Sequence, residues 1–438
     1  MIRLSSLPTR ARDGFLIVLA SLMMSGVFTT FVRPAWPPND PDYDSFYRPL
    51  AQSILAGNGY RTSSGELFVV YPPGLSCVIA GIYWIAGATG SSEGVVLGLF
   101  NVLCSAVVAL LIYLIGAWVF VRWAALAGAL VWVAYPLQLW LVRLPNTEMP
   151  FMVLLFAAIY LVVRAGFRGT SLALASLSAG ALIGVGSLFR PFGLLISLAL
   201  VPFLWVSGER GAPATRRLLP CLLILLGNLA TVLPWEGWVY RETGMVIPLS
   251  TNGRTAMLDG LTIDASPDLP GQVLTIPADV RRLLETVTAR AEQLQSPGDV
   301  ARFLLSDAKS HPLTAVKLIL VKAVRALYAT DSQRFERWVA LLQLPFYLLA
   351  LLGALRAWAS GPAARRFLWL VVPLWVYSWA MTIMVLSIVR YMLPPFGLVS
   401  ILVGIGICDL LGRAFPRLGL PHEPSRLNGV LTPGGPGS

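Results

Sequence analysis

The chain has 438 residues, 56% of them hydrophobic and only 13% charged, with a mean hydropathy of +0.71, which excludes an ordinary soluble protein and places it in a bilayer. Its net charge of +11 comes from arginines standing singly or in pairs between apolar runs, the pattern of cytoplasmic loops rather than of a nucleic-acid patch. Four scattered cysteines, two histidines and three lysines outside any glycine-rich loop exclude a CxxC metal site, a histidine metal cluster and a GxxxxGK phosphate loop, and with the last ATP as a direct substrate.

The first apolar run, 14–31, follows Arg3, Arg10 and Arg12 like a signal peptide, but the chain continues Arg33-Pro34-Ala35-Trp36-Pro37-Pro38 without a small-residue cleavage site. It reads as a retained first span. A span needs about 20 apolar residues. Further candidates lie near 94–118, 123–141, 149–163, 171–188, 192–206, 218–235, 338–355, 367–387 and 393–411, making ten. An eleventh piece, 74–88, is short, glycine-rich and preceded by Tyr71-Pro72-Pro73.

The arginines decide its status. With the N-terminus inside and 74–88 not crossing, inside connections carry Arg122, Arg164 with Arg168, Arg210 with Arg216 and Arg217, Arg356 with Arg365 and Arg366, and Arg413 with Arg417. A full crossing by 74–88 reverses all of them, so this piece reads as a re-entrant or interfacial helix on the outer side.

The expected fold is an all-α polytopic membrane protein of about 10 spans (10–11) with outer-face helices. Its organisation reads as 1–235, a membrane module with a first outer loop at 32–93; 236–337, a small second outer region; 338–415, C-terminal spans; and 416–438, a disordered tail. In the second outer region 259–271 reads as turns, 279–295 as an amphipathic helix, and 312–328 as a helix at the membrane surface. There Lys317, Lys322 and Arg325 are expected to meet anionic lipid headgroups.

In the first outer loop, Asn39-Asp40-Pro41-Asp42-Tyr43-Asp44 reads as a helix start, with Asn39 or Asp40 as cap. The helix is expected from Ser45 to about Ala56, kinked or delayed by Pro49, with Phe46, Leu50 and Ile54 as an apolar row toward the membrane. Gly57-Asn58-Gly59 stops it. This geometry places Asp44 beside Tyr47 and Arg48, a setting suited to a general base, with Asp42 as the competing acid. Asp42-Tyr43-Asp44 also has a DxD spacing that can bind a divalent ion, but no second acidic cluster supports it, and catalysis without metal or other cofactor is expected.

Asp44-Ser45-Phe46-Tyr47, then Ala51, then Leu55-Ala56-Gly57-Asn58-Gly59-Tyr60, and Tyr71-Pro72-Pro73-Gly74, together resemble the first-loop signature of the GT-C superfamily of membrane glycosyltransferases. Asn146-Thr147-Glu148-Met149, Leu188-Phe189-Arg190-Pro191, Pro234-Trp235 with Leu249-Ser250-Thr251-Asn252-Gly253, and Arg390-Tyr391-Met392-Leu393-Pro394 extend the resemblance in order over most of the chain. The nearest branches are the ArnT-like and Rgt-like bacterial transferases and, more distantly, the protein mannosyltransferases. Two departures stand out: Glu236-Gly237-Trp238 follows Pro234-Trp235 where relatives have a small polar residue and Arg-Asn, and Tyr71 stands where aminoarabinose transferases have lysine.

The resemblance implies an inverting hexosyl- or pentosyltransferase in a bacterial plasma (inner) membrane, with its N-terminus cytoplasmic and its active site on the outer face. It would move one sugar from a polyprenyl-phosphate donor to a hydroxyl of a lipid, glycan or protein. Asp44 or Asp42 would be the base, and Glu148 would position it or the acceptor; pairing with Arg143 is the alternative for Glu148. Arg190 and Arg390, both at span ends, would hold the donor phosphate or else snorkel. Tyr47, Tyr71 and Tyr391 would contact substrate, the latter two serving equally as interfacial aromatics. Arg254 reads as a solvated loop charge. Rival readings are a transporter or flippase of lipid-linked sugars, and a polymerase or ligase of surface polysaccharide.

Overall fold

Inside hydrocarbon a backbone must satisfy its own polar groups, and this chain does so with helices. A computed structural model describes residues 8–32, 41–62, 64–168, 171–208, 211–262, 273–330, 332–333 and 335–418. Asn39, Asp40, most of the 259–271 segment and the tail beyond 418 lie outside the described residues. An isolated bridge joins Arg61 and Leu67.

The helices are α1 (Thr9–Phe31), α2 (Arg48–Leu55, entered through a π-turn at Tyr43–Tyr47), α3 (Gly74–Thr89), α4 (Glu93–Val119), α5 (Arg122–Val133), α6 (Pro136–Val142), α7 (Glu148–Arg168), α8 (Leu172–Ser187), α9 (Ile196–Ser207), α10 (Ala214–Thr243), α11 (Gly253–Thr262), α12 (Ala278–Ala289), α13 (Pro297–Ser310), α14 (Pro312–Arg325), α15 (Glu336–Ala359), α16 (Pro362–Met384) and α17 (Leu393–Ala414). Seven of them, α1, α4, α7, α10, α15, α16 and α17, are long and apolar enough to cross a membrane. The pair α5 and α6 makes an eighth if its 53° bend is one broken span. The expected spans 171–188 and 192–206 fall on apolar helices shorter than that length, so among the described residues seven or eight helices have the length and apolarity of a span, and α8 and α9 lie at two further expected positions.

Two compact units divide the chain: residues 1–249, 349–373 and 397–438 form the first, residues 250–348 and 374–396 the second. In the first, helices approach through small residues, as membrane helices do when packing rather than water drives association. A Cβ on Gly180 would strike the Ile224 carbonyl of α10, and one on Gly227 the Leu177 carbonyl of α8. Hydroxyls and amides add interhelical bonds: Ser21 and Ser25 of α1 each lie 3.3 Å from Ser105 of α4, which donates to Gln138 of α6 at 3.1 Å.

Arginines gather at one end of this unit. Arg122 pairs with Asp13 at 2.6 Å, Arg10 donates to the Ala117 carbonyl, Arg366 covers the Phe167 ring, and Asp409 sits between Arg356 and Arg413 at 3.1 and 3.2 Å. This is the end the loop count assigned to inside connections. At the opposite end α3 begins, where the Gly74 N–H donates to the Leu188 carbonyl at 2.8 Å. Tyr83, farther along α3, lies within electrostatic reach of Glu93, which opens α4 at that same end. The helix α3 runs from Gly74 to Thr89 without a break. Its 16 residues reach only about 24 Å, short of a hydrocarbon core of roughly 30 Å.

The second unit has its own core. Val280, Leu283, Leu284 and Val287, the expected amphipathic row of α12, are buried with Leu258, Leu261, Val300 and Leu318. The expected lipid-facing cations of α14 are not free for that task. Lys322 is 4% exposed and its Nζ donates to the carbonyls of Gly260 and Val385 at 2.8 and 3.1 Å. Arg325 is buried against Glu336 at 3.1 Å, and Lys317 pairs with Asp279 at 2.8 Å. Leu313, Val316, Ile319 and Leu320 are exposed instead, so α14 turns an apolar face outward, which suits a lipid surface through carbon rather than charge. Arg254 is likewise no loose surface charge: it donates to the carbonyls of Leu294 and Ala291.

Candidate active site

The π-turn sets the first acids. Pro49 has no N–H to return to Ser45, so the turn before it widens, and the Arg48 N–H reaches Tyr43 O, five residues back. Helical structure starts at Pro41 rather than Ser45. Asp42 precedes this turn and Tyr47 closes it. Tyr47 feels the charges of both Asp42 and Glu148, and burial with these neighbours raises its pKa well above the ordinary tyrosine value. The phenol therefore stays protonated, able to donate.

Asp44 faces elsewhere. It lies 3.9 Å from Arg48, both side chains about half exposed at 52% and 45%, a geometry worth between 0 and about 1 kcal/mol. Its charge, with those of Arg48 and Glu93, reaches the Tyr83 hydroxyl, which is 2.6 Å from the buried Tyr43 hydroxyl. Asp42 is thus linked electrostatically to Tyr47, and Asp44 to Arg48 and Tyr83.

Glu148 opens α7 with no exposed surface. Asn146 fixes this helix start by accepting from the Met149 N–H at 2.8 Å and donating to the Leu141 and Leu144 carbonyls. The Glu148 carboxylate meets Arg190 Nη1 at 2.5 Å, and Thr147 lies 3.4 Å from both partners, donating to the carboxylate and accepting from the guanidinium. Of the two sequence readings for Glu148, the ion pair seen is with Arg190; Arg143 has its guanidinium 3.5 Å from the Trp140 ring centroid.

Aromatic side chains wall the site. Tyr71 stacks on Tyr47 with centroids 5.4 Å apart, and Phe46 lies edge-on to Tyr71 at the same distance. Phe46 and Ile54 pack with buried Leu50, Tyr60 and Phe68 and with Trp235 and Trp238. The expected membrane-facing row of α2 is therefore turned into the protein, because these rings offer it a better apolar surface. Glu236, where the sequence departs from its relatives, accepts from the Leu249 N–H at 2.7 Å and holds that residue at φ 61°.

Asp42, Tyr47, Tyr71, Glu148 and Arg190 thus come together. Arg390 and Tyr391 lie in the second unit, in a 3-10 turn at Val389–Met392 whose first N–H is tied to the Ala329 carbonyl at 2.9 Å. Among the described residues no three His, Cys, Asp or Glu side chains cluster as metal ligands would.

The sequence model of the dolichyl-phosphate-mannose-protein mannosyltransferase family matches residues 70–238. Among solved structures, the oligosaccharyltransferase AglB of Archaeoglobus fulgidus, in complex with an inhibitory peptide and a dolichol-phosphate, superposes with a TM-score of 0.55 at 15% identity, over 93% of this chain and 51% of that one. The Archaeoglobus fulgidus oligosaccharyltransferase with zinc and sulfate gives 0.54 at 14% identity, over 91% of this chain and 49% of that one. The chain is a multi-pass membrane protein that shares the fold of these solved structures. No curated protein matches it by sequence, and it spans about half the length of the solved structures it resembles.

The family match takes in Tyr71, Glu148, Arg190 and Trp235, and begins after Asp42 and Asp44. Its motifs, far apart in sequence, meet in the first unit. Pro73-Gly74 abuts Leu188-Phe189, so closely that a Cβ on Gly74 would lie 2.6 Å from the Leu188 carbonyl. The Trp235 ring stands edge-on to Tyr60 at 5.3 Å. Thr147 and Tyr60, which the sequence offered only as letters within motifs, prove to be connecting residues.

Proposed function

We propose that the protein is an inverting glycosyltransferase that moves one sugar from a polyprenyl-phosphate donor to an acceptor hydroxyl of a lipid, glycan or protein, on the outer face of a plasma membrane. The observation that carries this reading is the buried Glu148–Arg190 pair, with Tyr47 within electrostatic reach of both Glu148 and Asp42. The lipid-phosphate sugars named for the matching family and the dolichol-phosphate in one similar structure support the donor class.

Asp42 takes the role of base, ahead of Asp44, because its charge, like that of Glu148, reaches Tyr47. The acceptor O–H gives its proton to the Asp42 carboxylate while its oxygen attacks the anomeric carbon. The bond from that carbon to the phosphate oxygen breaks, and its electron pair leaves with the polyprenyl phosphate. Arg190 holds the departing phosphate through its planar donors. Glu148 and Thr147 aim that guanidinium, and neutral Tyr47 with Tyr71 flanks the sugar. Arg390 and Tyr391 are proposed donor contacts on the resemblance of their motif alone.

Proteoliposomes supplied with polyprenyl-phosphate-linked hexoses and pentoses test this. Asp42→Asn should cut transfer at least about 100-fold with donor binding retained, and Asp44→Asn less than about fivefold. The opposite ranking would return the role to Asp44. Mass analysis showing many sugars moved at once would favour a ligase, and lipid movement without transfer a flippase.

A further inference from the structure

We infer that Tyr60 is a positioning residue for sugar transfer, its hydroxyl tying down the Tyr71-Pro72-Pro73-Gly74 turn so that the Tyr71 ring lies against Tyr47. The inference rests on the reading above, since Tyr47 and Tyr71 matter to it as the wall of the transfer site.

Two successive prolines leave the middle of this turn without a backbone donor, so it cannot be fixed by its own N–H groups. Its end is fixed by the Gly74 N–H on the Leu188 carbonyl at 2.8 Å. Its beginning is fixed from outside: the Tyr60 hydroxyl lies 3.0 Å from the Tyr71 carbonyl and 3.1 Å from the Pro72 carbonyl, one proton serving both. Those are the carbonyls immediately after the stacking ring and one residue on, where a small backbone rotation swings the ring most.

The strut is itself braced. Tyr60 is 6% exposed, stands edge-on to Phe68 at 6.0 Å and to Trp235 at 5.3 Å, and burial raises its pKa so that the hydroxyl keeps the proton it donates. Trp235 is on α10, Tyr71 precedes α3, and Tyr47 precedes α2. One hydroxyl therefore links α10 to the sugar-facing pair without touching substrate.

Tyr60→Phe retains the ring and its packing and removes only the hydroxyl. Measured as transfer from a polyprenyl-phosphate-linked hexose or pentose, kcat/KM for donor should fall about tenfold, with the unfolding midpoint within about 2 °C of wild type. Tyr71→Ala removes the ring through which Tyr60 acts, so in that background Tyr60→Phe should cost less than about twofold more. A tenfold loss persisting in the Tyr71→Ala background, a Tyr60→Phe enzyme as active as wild type, or a loss that tracks the fraction of folded protein would each overturn the inference. Wild-type protein that transfers sugar from none of these donors would overturn the proposed function and the inference with it; an active wild type with additive losses overturns the inference alone.

Discussion

Arg190 shows what one side chain can contribute when its partners are fixed. Its guanidinium is nearly enclosed, 13% exposed, against a carboxylate with no exposure, so either partner removed alone leaves a buried charge at a cost of roughly 3–5 kcal/mol. Arg190→Lys separates charge from shape. The ammonium still neutralises Glu148, so the protein should fold, but a point charge lacks the fork that matches a phosphate. Donor KM is expected to rise about tenfold or more, with thermal unfolding checking that the variant is folded; unchanged KM and kcat for Arg190→Lys would remove Arg190 from the donor site. The pair was half legible in the sequence. Glu148 and Arg190 each stood out as a charge at a span end, but 42 residues separate them, and the nearer Arg143 offered the simpler pairing.

Helices respond to their neighbours as much as to their own pattern, and α12 and α14 illustrate it. Asp279 begins α12 and meets Lys317 and Thr314 of α14 at 2.8 and 3.0 Å, and the Lys317 contact first of all pulls its pKa down to about 2. A folded pKa below the unfolded one stabilises fully above about 3.8 and loses that support as pH falls toward 2. Stability should thus fall between about pH 4 and 2 more steeply in wild type than in Asp279→Asn, with the two curves parallel above pH 5, as read by thermal unfolding in detergent. The cations of α14 explain one limit of sequence reading. Lys322 looked like a lipid ligand because its carbonyl partners, Gly260 and Val385, lie 62 and 63 residues away and have no signature. The apolar row of α12 was legible because burial there follows the helical period directly.

For the whole molecule, the arginines carried the most information. Their places between apolar runs assigned one end of the bundle, and the packing of Arg10, Arg122, Arg356, Arg366 and Arg413 at one end of the first unit agrees with it. Span length was less informative, since α8 and α9 are apolar but short, and yet α8 leads from the Arg366–Phe167 end of the unit to Leu188 beside Gly74 at the other. The proposed outward-facing site makes a labelling experiment decisive. With Cys77 replaced by serine, Asn58→Cys should react with an impermeant maleimide on intact cells, and Thr215→Cys only after permeabilisation. Reversed labelling would turn the protein over and place its donor in the cytoplasmic leaflet.

The widened turn at Tyr43–Tyr47 separates two mechanical parts of the molecule. Because it stores one residue beyond the α register, deleting a single residue there lets the segment close to an ordinary helical turn with its flanks still in register, while α2, its aromatic bed and the Tyr60 anchor keep their seats. The turn is thus a length buffer: it lets the chain gain or lose one residue beside the acids at the expense of a widened turn rather than of the scaffold.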